Sequence, residues 1–223
     1  MDKKFIIFDF DNTLVSSLQY WYDVMDRQSF KHFGVKINKN FRKQCSGKGN
    51  YEIAKFFVES TNINVQPKVV IDFWNNRLEY YYKNKVKLIK GVVEFLEKLQ
   101  KKYTLVLASA TDKCLIDIAL KHFNLEKYFS FVVTEDMVNI PKHDVKFLES
   151  CLSMINAKPK ECFMFEDSFV SLKCASKLKI ETCGVLHMFN KSKLEELKII
   201  CNYLIKDYKI RKNGDFEKLS KLF

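Results

Sequence analysis

The feature that most constrains the fold is a short apolar run that ends on two carboxylates. Residues 5–8 are all apolar, Asp9 follows them directly, and Asp11 comes two positions later. A continuous run of this kind is typical of a strand buried on both faces, as in a parallel sheet. In open α/β sheets the ligand binds outside the carboxyl ends of the strands, where both aspartates are expected. Two close carboxylates repel each other, so the pattern predicts a divalent cation or a shared proton.

A purely structural interpretation of the same turn is also open. Asp11 and Asn12 would then be turn formers, and Asp9 would cap a helix. The choice between the two depends on what the other strand ends contribute.

The composition indicates a globular protein with a full core. The chain has 223 residues, of which 47% are hydrophobic, enough for one domain or a domain with an insertion. Apolar stretches are too short to span a bilayer, and Asp9 interrupts the first one too early for a secretory signal. The seven cysteines include no C-x-x-C pair, which predicts buried, reduced thiols and no zinc site. We therefore expect a soluble, cytoplasmic protein that does not bind membranes.

The chain is strongly basic, with a formal net charge of +11. Lysine-rich segments at 36–43 and 206–221 could attract phosphate-bearing partners or nucleic acid. The lysines are spread over the whole chain, however, which favours a solvated surface. Nucleic-acid binding is accordingly not expected, whereas small anionic substrates would benefit from the positive field.

Residues 15–88 predict an inserted, all-helical domain without strands. Apolar residues from Leu18 to Phe33 recur at helical spacing, with Ser16 or Ser17 as the cap and Gly34 as the end. A basic loop, a short helix around Phe56 and a longer helix over 66–84 follow.

From residue 90 onward, helical and strand patterns alternate. This alternation predicts right-handed βαβ units, and hence an α/β fold with a three-layer, Rossmann-like parallel sheet. The core would comprise 1–14 and 89–223, with the helical domain inserted at 15–88 and a basic helix at the C-terminus after Asp215. Expected strands lie at 103–109, 131–134, 162–165, 182–186 and 203–205, and expected helices at 92–99, 115–123, 147–155, 170–178 and 193–200.

Polar side chains recur where the predicted strands end. In chain order these are Asp9 with Asp11, Ser109 with its two successors, Lys142, and Glu166 with Asp167. Carboxylates at one sheet edge suit a hard cation such as Mg²⁺. A hydroxyl, an ammonium group and backbone amides at a helix start suit a phosphate. Each residue taken alone is more simply a cap or a surface charge, but the coincidence at four strand ends favours a functional site.

At this point the chain resembles the haloacid dehalogenase-like hydrolase superfamily. It is most similar to the branch with a helical cap after the first strand, which includes β-phosphoglucomutase and phosphoglycolate phosphatase. The resemblance covers nearly the whole chain. Lys142 departs from the usual K-P-x-P-D context but stands at the expected spacing before Glu166. The matching motifs are Asp9-Phe10-Asp11-Asn12-Thr13, Leu107-Ala108-Ser109-Ala110, Lys142 and Phe165-Glu166-Asp167-Ser168.

The resemblance implies a role for each acidic residue. Asp9 would be the nucleophile that forms an aspartyl-phosphate, and Asp11 the general acid and then the base. Asp9, Asp167 and the backbone carbonyl of Asp11 would bind Mg²⁺, with Glu166 binding through water or orienting the site.

Other residues of the motifs would bind the phosphate. Ser109, the amide of Ala110 and Lys142 would hold the phosphoryl oxygens, and Thr13 would tie the first loop together by hydrogen bonding. An acid two positions after the nucleophile, which the dehalogenases lack, implies phosphate esters as substrates.

The resemblance also predicts what covers the site. The helical cap would exclude water and select a small phosphorylated metabolite, and its contact residues are predicted to be Gln19, Tyr22, Lys48 and Asn50. We expect a monomer or a weak dimer.

Hydrolysis is favoured over a phosphomutase reaction. The mutase has a cap arginine that grips the far phosphate, and its position counted from Gly47 falls near Asn50, where only Lys48 is charged. Two alternative functions come from other classes of protein. The chain could be a Lys-rich nucleic-acid-binding protein, or a regulatory protein with the same fold.

Overall fold

One parallel sheet organises the structure, a computed structural model that describes residues 3–37, 40–45 and 48–209, without the side chains of Arg42 and Lys43. Six of the eight strands among the described residues form this sheet, in the order β5-β4-β1-β6-β7-β8. Every neighbouring pair in it is parallel. The strands of the described residues are β1 (Phe5–Phe8), β2 (Val15–Ser16), β3 (Lys87–Leu88), β4 (Thr104–Ser109), β5 (Phe129–Thr134), β6 (Cys162–Glu166), β7 (Glu181–Val185) and β8 (Tyr203–Ile205).

Helices cover both faces of this sheet, which gives the predicted three layers. Ile6 and Phe8 of β1 join one buried cluster, and Ile7 joins the other, as expected for a strand buried on both sides. The helices are α1 (Leu18–Asp23), α2 (Ser29–Phe33), α3 (Phe41–Cys45), α4 (Asn50–Thr61), α5 (Pro67–Asn84), α6 (Val92–Leu99), α7 (Lys113–Phe123), α8 (Glu135–Val138), α9 (Val145–Met154), α10 (Phe169–Lys177) and α11 (Leu194–Ile200). Residues of α6 and α7 pack on the Phe8 side, and residues of α9 and α10 on the Ile7 side.

Residues 17–86, here called the helical insertion, leave the sheet after β1 and return before α6. The predicted helix from Leu18 to Phe33 is continuous, because a π-helical segment (Val24–Gln28) joins α1 to α2. Gly34 ends it in the left-handed region at φ 70°, as predicted. Trp74 is buried in the middle of the insertion and donates from its indole nitrogen to Ser29 Oγ (2.8 Å).

The prediction that 15–88 contains no strand is wrong at both ends. β2 and β3 pair antiparallel, with Val15 opposite Leu88 and Ser16 opposite Lys87. Each strand has two residues, too few for an alternating pattern to be recognised in the sequence. They pair because the chain enters and leaves the insertion at the same place, and the amide of Ile89 extends the contact to the carbonyl of Leu14 (2.9 Å).

The exposure of the cysteines differs in part from the prediction. Cys114 is exposed, which contradicts the expectation that the cysteines are buried; Cys201 is partly exposed and the other five are buried. None of the helices among the described residues is both long and apolar enough to cross a membrane. Gly47, the predicted helix after Asp215 and most of the basic segment 206–221 lie outside the described residues.

Candidate active site

The strand order positions the candidate site. β1 lies between β4 and β6, and the chain proceeds from β1 toward β5 on one side and from β6 toward β8 on the other. The crevice at such a switch point, outside the carboxyl ends of the strands, is where doubly wound sheets bind ligands. Asp9 follows β1, Ser109 ends β4 and Glu166 ends β6, so three of the predicted residues meet there.

A buried lysine joins two of the carboxylates at this edge. Lys142 Nζ lies 2.5 Å from Asp9 Oδ1 and 2.7 Å from Glu166 Oε2, and all three side chains are at most 7% exposed. Lys142 reaches the site from the segment that follows α8, where its amide donates to Glu135 Oε1 (2.5 Å). The ion pairs explain how a lysine and two carboxylates tolerate burial.

The electrostatics of this group reflect burial and mutual repulsion. Burial, with the neighbouring Glu166 charge, raises the pKa of Asp9 to about 7 against the opposing effect of Lys142. Burial also raises the pKa of Glu166 to about 7, again opposed by Lys142. Burial alone would lower the pKa of Lys142, but Asp9 and Glu166 raise it above its usual value. The site therefore contains more negative charge than the lysine compensates.

Glu166 and Asp167 are oriented by different groups. Glu166 Oε1 accepts from the amides of Asp167 (3.0 Å) and Ser168 (2.9 Å), which fixes the carboxylate at the start of α10. Asp167 Oδ2 lies 2.8 Å from His187 Nε2, just beyond the end of β7, and burial raises the pKa of Asp167 against the effect of His187.

These carboxylates fit a divalent cation. Asp9, Glu166 and Asp167 each offer an oxygen within 4.8 Å of the others. Asp9 Oδ2 is buried and has no hydrogen-bond partner among the described residues. Oxygen donors of this kind suit Mg²⁺, which keeps several waters and takes few protein ligands. The Asp11 carboxylate does not belong to this cluster.

Asp11 is held by three hydroxyl groups instead. Ser17 Oγ and Tyr82 Oη (2.6 Å) donate to its Oδ1, and Thr111 Oγ1 (2.7 Å) donates to Oδ2. Ser17 and Tyr82 belong to the helical insertion, whereas Thr111 follows β4. Both parts of the molecule therefore determine where this carboxyl group points.

The predicted phosphate-binding residues separate into two groups. Ser109 and Ala110 line the cavity, and Ser109 Oγ accepts from the amide of Thr111 (3.1 Å). Thr13 is fully buried and does not line the cavity, and its hydroxyl has no partner among the described residues. Main-chain bonds tie its loop instead, including Leu14 N to Phe10 O (2.8 Å), with Asn12 left-handed at φ 58°. Thr13 itself contributes through its main chain, since its amide donates to Phe10 O (3.4 Å) and its carbonyl accepts from Tyr208 Oη (3.0 Å).

A cavity of about 330 Å³ opens above the carboxylates and is roofed by the insertion. Tyr22, Lys48 and Asn50 line it, and their contact with a substrate stays a prediction. Gln19, which was also predicted to contact the substrate, is exposed and does not line this cavity. The reason is helical geometry, since the lining stripe of α1 and the following turn comprises Leu18, Trp21, Tyr22 and Met25, and Gln19 lies off that stripe.

The insertion is joined to the core beside this cavity. Asp112, at the start of α7, accepts from the side-chain amides of Asn50 (2.9 Å) and Asn75 (2.7 Å). Gly49 lies against Glu135, because a Cβ at Gly49 would stand 1.6 Å from Glu135 Oε2. Burial raises the pKa of Glu135 to about 7.

Four residues at the site were not predicted to belong to it, namely Ser17, Tyr82, Thr111 and His187. Thr111 was noted at the end of its predicted strand but was given no role, and His187 follows the fifth predicted strand, where the same pattern marks it. Nothing in the local pattern marks Tyr82, because its contact with Asp11 joins residues 71 positions apart.

The sequence as a whole is similar to those of known proteins. The family model described as "Haloacid dehalogenase-like hydrolase" matches residues 6–185. The phosphorylated carbohydrates phosphatase of Thermotoga maritima is 25% identical over 190 residues, which cover 84% of this chain and 88% of that protein. The pyrophosphatase PpaX of Oceanobacillus iheyensis is 23% identical over 193 residues, covering 83% and 84%.

A solved structure supports the same fold. CbbY from Rhodobacter sphaeroides, in complex with phosphate, superposes with a TM-score of 0.81 at 16% identity. The match covers 92% of this chain and 95% of that one.

Proposed function

The chain belongs to the haloacid dehalogenase-like hydrolase family, and from that membership we propose that it is a Mg²⁺-dependent phosphatase. It would hydrolyse a small phosphate monoester through an aspartyl-phosphate on Asp9. In this proposal residues 1–14 and 89–223 form the catalytic core, and residues 15–88 form a cap over the site.

The observation that most supports this proposal is the state of Asp9. One of its oxygens is paired with Lys142, and the other is buried without a partner among the described residues. An unpartnered carboxylate oxygen at the bottom of a cavity is costly unless it binds a cation or reacts with a ligand. Both uses are required of the nucleophile in the proposed reaction.

Asp9 and Asp167, with the backbone carbonyl of Asp11, would hold the Mg²⁺ ion. Glu166 already accepts two amides and pairs with Lys142, which supports an orienting role or contact through water. When bound, the cation would neutralise negative charge on the nucleophile and on the phosphoryl oxygens, so that two anions can meet.

The two aspartates would divide the proton transfers between them. An Asp9 oxygen forms a bond to phosphorus while the bond from phosphorus to the leaving oxygen breaks. Protonated Asp11 gives its proton to that oxygen, which departs as an alcohol. The Asp11 carboxylate then removes a proton from the water that attacks phosphorus and frees Asp9.

The phosphate would be bound by groups that match charge in the transition state. Ser109 Oγ, the amide of Ala110 and the Lys142 ammonium group would contact the non-bridging oxygens. Lys142 also remains near Asp9 as the charge moves from the carboxylate to the phosphoryl group.

The cavity supports small esters as substrates. Its volume of about 330 Å³ accommodates one small molecule, and most lining residues from the insertion are apolar, with Lys48 and Asn50 as polar exceptions. An apolar roof favours leaving groups that present an apolar face. The names of the relatives add phosphorylated carbohydrates and pyrophosphate as candidates.

The phosphomutase alternative has less support. It requires a cation on the insertion that binds a second phosphate, and Lys48 is the one basic residue that lines the cavity among the described part of the insertion. Its ammonium group lies 5.2 Å from the centroid of the Phe56 ring.

The test is phosphate release from p-nitrophenyl phosphate and from a panel of natural phosphates, with Mg²⁺ and then with EDTA. The panel contains sugar phosphates, phosphoglycolate, nucleoside monophosphates and pyrophosphate. We expect metal-dependent turnover that Asp9→Asn abolishes, because the amide is a poor nucleophile. The matched control is Asp144→Asn, because Asp144 is the N-terminal capping residue of helix α9 and does not line the cavity.

Two outcomes would contradict the proposal. Turnover that persists in EDTA would contradict the role of the metal, and turnover that survives Asp9→Asn would contradict the covalent mechanism. If the folded wild type released no phosphate from any ester, a binding protein on this scaffold would be favoured instead.

A further inference from the structure

The hydroxyl groups around Asp11 are not equivalent. Oδ1 accepts two hydrogen bonds, both from the helical insertion, whereas Oδ2 accepts one, from Thr111 of the core. In the proposed mechanism this carboxyl group must deliver a proton, and its two oxygens then have different tasks. One oxygen must be held, and the other must be free to carry the proton.

Tyr82 has the most fixed geometry of the three. Its side chain is 1% exposed, in the last turn of α5. Its oxygen accepts from the indole nitrogen of Trp21 (3.1 Å), so its own proton is directed to Asp11 Oδ1.

Thr111 can exchange its role more easily. A threonine hydroxyl can rotate to donate or to accept, and a protonated carboxyl group needs an acceptor beside its proton. The Ser17 hydroxyl can rotate in the same way, but the Tyr82 hydroxyl is directed at Oδ1, so a proton on Oδ1 would face the Tyr82 hydrogen. Oδ2 is therefore the oxygen on which the proton is accommodated.

On the basis of the proposed function, we propose that Tyr82 is a positioning residue for the general acid. Its hydroxyl group holds Asp11 Oδ1, so that Oδ2 carries the proton that passes to the leaving oxygen as the phosphorus–oxygen bond breaks. Since Tyr82 belongs to the insertion, the acid is correctly oriented when the insertion is docked on the core. Asp11 is thereby prepared for proton transfer when the cavity is roofed.

The test uses the dependence of rate on the leaving group. An alkyl ester such as glycerol phosphate needs a proton on its leaving oxygen, whereas p-nitrophenolate departs readily without one. The constant kcat/KM reports only the steps up to departure of that group, so the later water step does not enter. We expect Tyr82→Phe to lower kcat/KM about tenfold or more for the alkyl ester, and less than about threefold for p-nitrophenyl phosphate.

The neighbouring tyrosine supplies a matched control. Tyr81 lies on the same helix, and its hydroxyl group donates to Asp23 (2.6 Å), away from the cavity. Tyr81→Phe removes the same atom and should leave both rate constants unchanged. An equal loss for both esters with Tyr82→Phe, or no loss for either, would overturn the role of Tyr82 while the phosphatase activity stands.

A second variant guards against a folding defect. Should Tyr82→Phe fail to show the cooperative thermal unfolding of the wild type, Trp21→Phe removes the indole donor and leaves the Tyr82 hydroxyl group in place. It should give a smaller loss with the same preference for the alkyl ester. Loss without that preference would again overturn the proposal. Absence of turnover of both esters by the wild type would instead contradict the proposed function and, with it, the role of Tyr82.

Discussion

Lys142 is the countercharge for Asp9 and Glu166, and its removal would leave two buried carboxylates facing each other. We expect Lys142→Met to lower the free energy of unfolding by about 3 kcal/mol near pH 8 in EDTA, because uncompensated buried charge is strongly destabilising. The loss should be smaller near pH 6, because burial raises the pKa of both carboxylates to about 7 even with Lys142 present, and protonation neutralises them as the pH falls. Urea unfolding at both pH values measures this difference.

The control for that experiment is an exposed lysine. Lys68 pairs with Asp72 on the surface of α5, and Lys68→Met should change stability very little. Added Mg²⁺ should restore part of the stability lost with Lys142→Met, because the cation supplies positive charge at the same carboxylates. A loss that is the same at both pH values and unaffected by Mg²⁺ would indicate that packing, not charge, is the contribution of Lys142.

Glu135 gives a pH dependence with a definite sign. Burial raises its pKa in the folded protein to about 7 from the usual 4.5, so folding favours the protonated form. Its contribution to stability is therefore complete below about pH 4.5 and is lost as the pH rises through about 7. Between about pH 5 and pH 8, ionisation of Glu135 should lower the free energy of unfolding of the wild type by on the order of 2 kcal/mol. Glu135→Gln stays neutral, so this part of the decrease should be absent in the variant.

Chemical unfolding of wild type and variant at the two pH values measures that effect. Glu149→Gln, on the exposed face of α9, is the control and should unfold with the pH dependence of the wild type. A Glu135→Gln variant with an undiminished pH dependence would show that Glu135 ionises normally in the folded protein.

At the scale of elements, Asp112 connects α4 and α5 to the start of α7. Its two hydrogen bonds to Asn50 and Asn75 hold the insertion over the cavity. Asp112→Ala should raise KM for a small ester by up to about tenfold, since each such bond contributes about 1 kcal/mol, with a smaller effect on kcat. The radius of gyration from X-ray scattering should increase as the insertion moves away from the core.

Asp117→Ala is the matched control for this contact. Asp117 lies on the same helix and pairs with Lys113 on its surface, so neither KM nor the radius of gyration should change. An unchanged KM for Asp112→Ala would mean that other contacts hold the insertion in place.

Some elements and contacts could be predicted from the sequence, and others could not. β1 was recognisable because its four apolar residues are buried on both faces, and the ends of β1, β4 and β6 meet because parallel strands share one edge. β2, β3, α3 and α8 were missed because two to five residues are too few to show a period. The contact of Tyr82 with Asp11 was not predictable, because packing between insertion and core determines it.

At the scale of the whole molecule, the net charge of +11 should affect substrate capture. A positive field attracts phosphate dianions, and salt screens it over about 10 Å at 0.1 M. We expect kcat/KM for a phosphate ester to fall a few-fold as ionic strength rises from about 0.02 to 0.3 M, with kcat nearly constant. Steady-state kinetics over that range measure the effect, and a parallel fall in kcat would assign the salt effect to the chemical steps.

The nucleic-acid hypothesis makes a different prediction at this scale. It requires that an oligonucleotide binds with a steep salt dependence and that Asp9→Asn does not change this binding. We expect no competition by single-stranded DNA in the phosphatase assay near physiological salt. Inhibition of the phosphatase activity by such DNA would instead support the nucleic-acid hypothesis.

The β2–β3 ribbon has a consequence for how such a molecule can be assembled and altered. Because Val15 stands opposite Leu88, the two ends of the inserted segment are adjacent, and a two-residue turn could close them as a hairpin. This pairing lies outside the six-stranded sheet, so a segment of another length between the same two ends would leave the register of that sheet unchanged. The ribbon is therefore a place where an accessory segment could be exchanged while the strand ends that position Asp9, Ser109 and Glu166 stay as they are.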